Sequence, residues 1–477
     1  MTERLALSTR LQAITHAPYG HFLNHRQIFS PDGARVYFDT RNADPEIQRT
    51  CRIESIDWRS GDVRVEYEVP RPSEYGPGVG AVVCHPHRNA LLFIHGLYRC
   101  DQARPYGMTR RFGALLDVRF SRSLDSEMSA SMRTVLPIEG RYVISECPRG
   151  GLRGGTHAHS WSRDGRWVSF TYNDDVVASR HARGQGPPDR RTVGAVYLPS
   201  TDADPSAMPN PLALEDGTRC EEEWSGLGWG TLVARVTDSP RPGSDDIEQA
   251  CEECWVEHRP LRTLAFLGRV RDANGRAIDE VFVAEWREAD RSGGVKSETG
   301  LPRSPAQSDD EGRLLPASDA DRDPVQSLRV RRVTRTDDEP HPGVSGPRNW
   351  LIASPDGQYV FFPQKDPRGV VQIARAELDT GEVTPISQLS ESIENQLSID
   401  AAGRTLTAIV AGVPGQLEID RGAWQPMLSA NAMKGRSETP RFSGAVHFLP
   451  DGSGWIVHGY PGDPQHSWLQ LWTITLH

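Results

Sequence analysis

The string LRGGTHAHSWSRDG (152–165) holds two histidines, His157 and His159, at a spacing of two. On a strand that spacing sends both imidazoles to one face, and imidazole clusters hold divalent metals. A third imidazole, His25, stands the same distance before a similar turn, so three could converge on one ion. Arg153 and Arg348 flank this set, and a guanidinium fork matches the carboxylate of an acidic sugar. Plainer readings stay open beside these. A His-x-His pair also suits a polar, water-filled wall, and either arginine also suits an ion pair with Asp174 or Asp175.

The elements that must carry these residues are strands. A turn of the type Ser-Pro-Asp-Gly recurs, followed each time by alternating apolar residues: FSPDGARVYFDT (29–40), WSRDGRWVSFTY (161–172) and ASPDGQYVFFPQ (353–364). Weaker copies are CHPHRNALLFIH (84–95), IDAAGRTLTAIV (399–410) and FLPDGSGWIVHG (448–459). Asp-Gly supplies a tight turn and period-two alternation supplies the strand, so each copy reads as a hairpin. Two more strands follow in most copies, and a period near four short strands is that of a propeller blade. Six copies and one further unit between about 200 and 340 predict a single all-β domain over 1–477. It is a seven-bladed propeller of four-stranded blades, closed by residues 10–16 beside 469–476. Residues 287–327, rich in Ser, Pro, Gly and Asp, read as a flexible insertion in blade four. Residues 238–254 read as a turn and a short helix capped near Ser244–Asp246.

In a propeller the first strand of each blade lines the channel. Eight residues before the turn glycine stand His25, Gly80, His157, Asn349, Asn395 and Gly444; six before it stand Gln27, Val82, His159, Leu351, Leu397 and Val446. The outer ring is polar or small, and Gln27 and His159 are the polar exceptions in the deeper one. Arg41, His95, Tyr172, Asn173 and Asp174 fall in the loops at the same mouth, with Trp350 beside the ring and able to stack on a sugar. His85 and His87 fall in a turn on the opposite face and read as structural.

Composition narrows the class. The chain has 477 residues, 37% of them hydrophobic, with 44 glycines, enough for a sizeable core. Its net charge of −10 argues against a nucleic-acid partner, which needs a basic footprint. No stretch has the apolar length of a membrane span, and the first twenty residues lack the apolar run of a secretory signal. Seven irregularly spaced cysteines, with one Cys-x-x-Cys at 251–254, suit reduced thiols and a cytoplasmic setting.

The turn repeats resemble those of the Tol-type β-propellers. The strings ALLFIHG (90–96), LRGGTHAHSWSRDG, VSFTYND (168–174), RTVGAV (191–196), PGSDDIEQACEECWV (242–256) and PRNW (347–350) resemble an uncharacterised bacterial family of that type. THAHSWSRDG is also similar, more distantly, to the manganese-dependent propeller oligogalacturonate lyase, whose His-x-His pair precedes such a turn. That resemblance implies a divalent metal, manganese by analogy, at His157 and His159. Gly154 stands where the lyases carry a metal-binding Gln, and Gln27 would have to replace it. The function implied is an enzyme acting on an anionic, uronate-containing oligosaccharide by metal-assisted β-elimination. Arg153 and Arg348 would neutralise the carboxylate, and His25 or His95 would be the general base. Arg41, Tyr172, Asn173, Asp174, Asn349, Trp350 and Asn395 would contact substrate. Two alternatives are a glycoside hydrolase using Glu394 and Asp174, and a non-catalytic scaffold that binds a protein or peptide across its mouth.

Overall fold

The computed structural model describes residues 9–117, 135–198, 211–213, 219–289, 324–346, 350–428, 440–462 and 467–476. Its repeating unit is built on the turn. Ser30 Oγ donates to Asp32 Oδ1, which accepts from the Ala34 amide, while the Arg35 amide donates back to Ser30 Oγ. Gly33 sits at φ 68°, where a side chain would be strained. The same arrangement recurs at Ser162–Gly165 and Ser354–Gly357.

These hairpins grow into radial sheets. Blade one holds Arg35–Asp39, Arg52–Asp57 and Val63–Glu68, with single bridges from Phe22 and Phe29 as its inner edge. Blade two holds Val79–Cys84, Ala90–Gly96, Arg111–Asp117 and Leu136–Pro137; blade three holds Gly154–Trp161, Trp167–Asp174, Thr192–Tyr197 and Trp229–Leu232. Blade four holds Gln249–Val256, Arg262–Arg271, Ala277–Glu288 and Val325–Arg332. Blade five runs from Ile352 to Pro385 and blade six from Ser398 to Pro426. Blade seven holds Arg441–Phe448, Gly454–Tyr460 and Gln470–Leu476, and its fourth strand is Thr9–Ala13. Thr9 pairs with Leu476 and Ala13 with Trp472, so the two chain ends share one sheet.

The blade count of seven is corrected to eight. An eighth sheet joins Gly140–Arg141 and Gly151–Leu152, which precede blade three in the chain, to Arg219–Trp224 and Pro211–Ala213, which fall between its third and fourth strands. It carries no turn of the repeated type, so counting turns could not find it. The helix expected in 238–254 is also absent: Gln249–Val256 is the innermost strand of blade four. Of the insertion at 287–327, residues 290–323 lie outside the described residues, and both its edges belong to strands Ala277–Glu288 and Val325–Arg332.

The core lies between blades rather than in one central mass. Trp167, Trp255 and Trp286 meet between blades three and four with ring centroids 5.5–6.5 Å apart. Tyr37, Ile53 and Tyr67 of blade one pack on Val82, Phe93 and Phe112 of blade two. Each interface buries apolar side chains from two sheets, which is what holds the ring together.

Candidate functional site

The inner strands share a local irregularity that decides where their side chains point. Gln27, Ala81, Ala158 and Glu252 all have φ between 53° and 60°, and Gly444 has φ 74°. In blade three His157 opposes Thr171 but Ser160 opposes Ser169, so two residues face one. Blade four repeats this between Cys251 and Cys254, and blade two between Gly80 and Val83. These are β-bulges, and a bulge shifts the alternation by one. His157 and His159 therefore project to opposite sides of the sheet. His159 turns towards blade two, with Nε2 3.0 Å from Thr156 Oγ1 and tight against Gly113.

The bulge also resets the alignment between blades. Seven residues separate Ala158 from Gly165, but six separate Gln27 from Gly33. The equivalent of His157 in blade one is thus Arg26 rather than His25. His25 bonds Asn24 Oδ1 at 2.9 Å and stacks on Trp350 at 4.0 Å. Gln27 spends both ends of its amide on the Trp161 backbone, donating to its carbonyl at 2.7 Å and accepting from its N–H at 2.9 Å. Arg26 donates to the Leu351 carbonyl, and the Asn24 carbonyl meets His447 Nε2 at 2.9 Å. Residues 24–27 thus span the channel, touching blades three, five and seven. Among the described residues no three His, Cys, Asp or Glu side chains are grouped to hold a metal ion. The donor set His25, Gln27, His157 and His159 does not fit the divalent metal that the sequence implied.

Several mouth residues are committed to the fold. His95, the expected base, is fully buried with Tyr67 Oη at Nε2 and the Gly96 carbonyl at Nδ1, and burial lowers its pKa to about 4. Arg41 is buried in a two-toothed pair with Asp39. Arg153 pairs with Asp174 at 2.9 Å, and the Tyr172 hydroxyl donates to the same carboxylate. Asp174 also caps the helix Asp175–Ala182 by accepting from the Val177 amide, as N-cap carboxylates do. Asn173 donates to Asp189, and Glu394 accepts from the Gly412 amide. Asn395 is half-buried at the mouth. Arg348 and Asn349 lie outside the described residues.

The structure assembles a different group at that mouth. Arg111 opens the third strand of blade two, and Arg191 directly precedes the third strand of blade three. His157, 8% exposed, lies in the field of both guanidinium groups, and its Nδ1 has no hydrogen-bond partner. Burial first, then Arg111 and Arg191, push its pKa well below the usual imidazole value, so the ring is neutral at neutral pH. Arg111 donates to Tyr106 Oη at 3.0 Å and to Met108 Sδ, while its buried Nε has no partner. Neither arginine is in a salt bridge among the described residues. Two cations thus act on a neutral ring, with the Asp189 carboxyl also in the field of Arg191. A second buried group lies deeper: Glu253 accepts from Thr171 Oγ1 at 2.8 Å, and burial raises its pKa to about 7. Sequence reasoning missed Glu253 because its strand was read as helix. It missed Arg111 and Arg191 although an Arg-Arg pair stands at the start of both strands, at 110–111 and 190–191.

Residues 78–205 match the family described as "Protein of unknown function (DUF3748)". The chain is 28% identical over 448 residues to "Uncharacterized protein YidR" of Escherichia coli (strain K12), covering 94% of each. Among solved structures it resembles an oligogalacturonate lyase in complex with manganese, at 10% identity and TM-score 0.50, covering 99% of this chain and 97% of that one. A TolB from Agrobacterium tumefaciens matches at 12% identity and TM-score 0.36, over 79% of this chain and 88% of that one. The chain is therefore similar to an uncharacterised family and has the propeller fold of the lyase.

Proposed function

We propose that the mouth between blades two and three binds a carboxylated oligosaccharide of the uronate class and cleaves it by β-elimination. The observation that supports this is the pair Arg111 and Arg191 around the unpartnered imidazole of His157. A carboxylate held between two guanidiniums loses the charge that keeps its α-proton unreactive. The same bound anion offsets the repulsion that the arginines exert on His157, so the imidazole becomes a better base once substrate is in place. His157 then takes the α-proton, the electron pair forms the carbon–carbon double bond, and the glycosidic oxygen leaves with a proton from water. No step is routed through a metal. The lyase of similar fold supports a saccharide substrate only by analogy.

The test is incubation with oligouronides, following the ultraviolet absorbance of the unsaturated product. Arg191→Ala is expected to lower kcat/KM about 100-fold, the usual cost of one charge-stabilising donor. His157→Ala should abolish turnover while substrate still binds. Failure of the wild-type protein to release an unsaturated product from any acidic oligosaccharide would overturn the elimination.

A further inference from the structure

Strands two and three of blades four, five and six are joined by the short turns 272–276, 366–370 and 411–412. In blade three the same join takes residues 175–191 and begins with the helix Asp175–Ala182. This excursion is fastened at its two feet. At the first, Asp174 pairs with Arg153 and accepts from the Val177 amide, while Asp175 takes Arg141 at 2.8 Å and Thr109 Oγ1 at 2.6 Å. At the second, Asp189 accepts from Asn173 Nδ2 at 2.6 Å and from the Asp174 amide at 2.9 Å.

Between the feet the segment stands in solvent. No helix residue is buried, and residues 180–188 are all exposed. A side chain added at Gly184 or Gly186 would meet nothing within 4 Å. The side-chain bonds of His181 and Arg183 stay inside the segment, to the Gly186 carbonyl and to Gln185. Gly184, at φ 71°, gives the connection after the helix a point at which to hinge.

Placement and charge give the excursion a task. Asp174 lies opposite Gly154 and Thr171 opposite His157, so the first foot and His157 are about 10 Å apart along the sheet. A helix of eight residues is about 12 Å long, enough to cover that distance. The segment ends at Arg191, one of the two mouth cations. Arg180 and Arg183, three apart at the far end of the helix, are exposed and in no ion pair among the described residues. Arg111 and Arg191 repel them, and a bound polyanion reverses the sign of that interaction. Such a ligand therefore has a differential affinity for the folded-over state, which is what a population shift requires.

We propose that this helix is a cationic flap that folds over the mouth when a polyanion binds, with Arg180 and Arg183 taking a second carboxylate beside the one held by Arg111 and Arg191. The site thereby selects oligomers with acids on successive residues over single acids. This inference rests on the carboxylate reading of the mouth.

The probes are galacturonic acid and its unesterified trimer, each titrated by calorimetry against the full chain, with hydrogen exchange read over residues 176–186. The trimer should bind at least about tenfold tighter than the single acid and slow exchange over that stretch. Arg180→Gln combined with Arg183→Gln, both at exposed positions, should lose that advantage and the slowed exchange while still binding the single acid. Trimer affinity equal to wild type in this variant, or wild-type exchange unaltered by bound trimer, would overturn the flap and leave the Arg111–Arg191 reading standing. Binding of neither acid by the wild type would overturn the mouth reading and the flap with it.

Discussion

At Ala158 a side chain sits where glycine is favoured, at φ 60°, and this one residue controls where both neighbouring histidines point. A non-glycine residue in the left-handed region costs roughly 1 kcal/mol. Ala158→Gly is therefore expected to leave the melting temperature unchanged or raise it slightly. Ala158→Val should lower it, because a β-branched side chain crowds that conformation further. Equal destabilisation by both would mean the bulge is absent. Gln27 offers a second check. Both its amide groups bond the Trp161 backbone, so Gln27→Ala should cost about 1–3 kcal/mol of unfolding free energy, measured by urea denaturation. At this scale the sequence was least legible. The period-two rule put His157 and His159 on one face, and nothing in the residue types announces a bulge at Ala158 or Gln27. Arg41, His95 and Arg153 show the same limit, since their ion-pair and hydrogen-bond partners come from the folded chain.

Between elements the sequence was far more legible. Asp-Gly turns and alternating strands marked the blades because a tight turn leaves a local signature in residue type. The eighth sheet left none, as its strands are short and come from distant segments. Blade four was obscured for a related reason. Its inner strand carries Glu252 and Glu253 between two cysteines where blade two carries Ala81 and Val82, and that polarity resembled a helix start. Closure of the ring yields a prediction here. Thr9–Ala13 covers the edge of Gln470–Leu476 and buries Leu11. Deleting residues 1–13 should lower the melting temperature and promote aggregation through the uncovered edge. An unchanged melting temperature and a monodisperse truncated protein would contradict that role.

Over the whole molecule, burial sets the pH response. His21, His85, His95, His159, His447 and His458 have imidazole pKa values lowered mainly by burial, to about 4 or 3, and that of His157 is also pushed well below the usual value. The unfolded chain takes up protons on these rings near pH 6.5, whereas the folded protein refuses them until far lower. Stability therefore falls as pH drops through 6.5. Glu139 and Glu253, raised to about 7, act in the opposite sense and lose stability as pH rises towards that value. Asp39, Glu54 and Asp189, also raised by burial, add to that opposition. Seven imidazoles outnumber these carboxyls, so the melting temperature should decline between pH 6.5 and 5. A rise over that interval would mean the carboxyls dominate.

The proposed carboxylate site at the mouth has Arg111 and Arg191 as its cations. Calorimetric titration of the purified protein with a galacturonate oligomer, beside the same oligomer as its methyl ester, addresses that site directly. The acid form should bind and the ester should not, and Arg111→Ala together with Arg191→Ala should remove the heat of binding without loss of fold. Equal binding of acid and ester, or full retention of binding in the double variant, would contradict it.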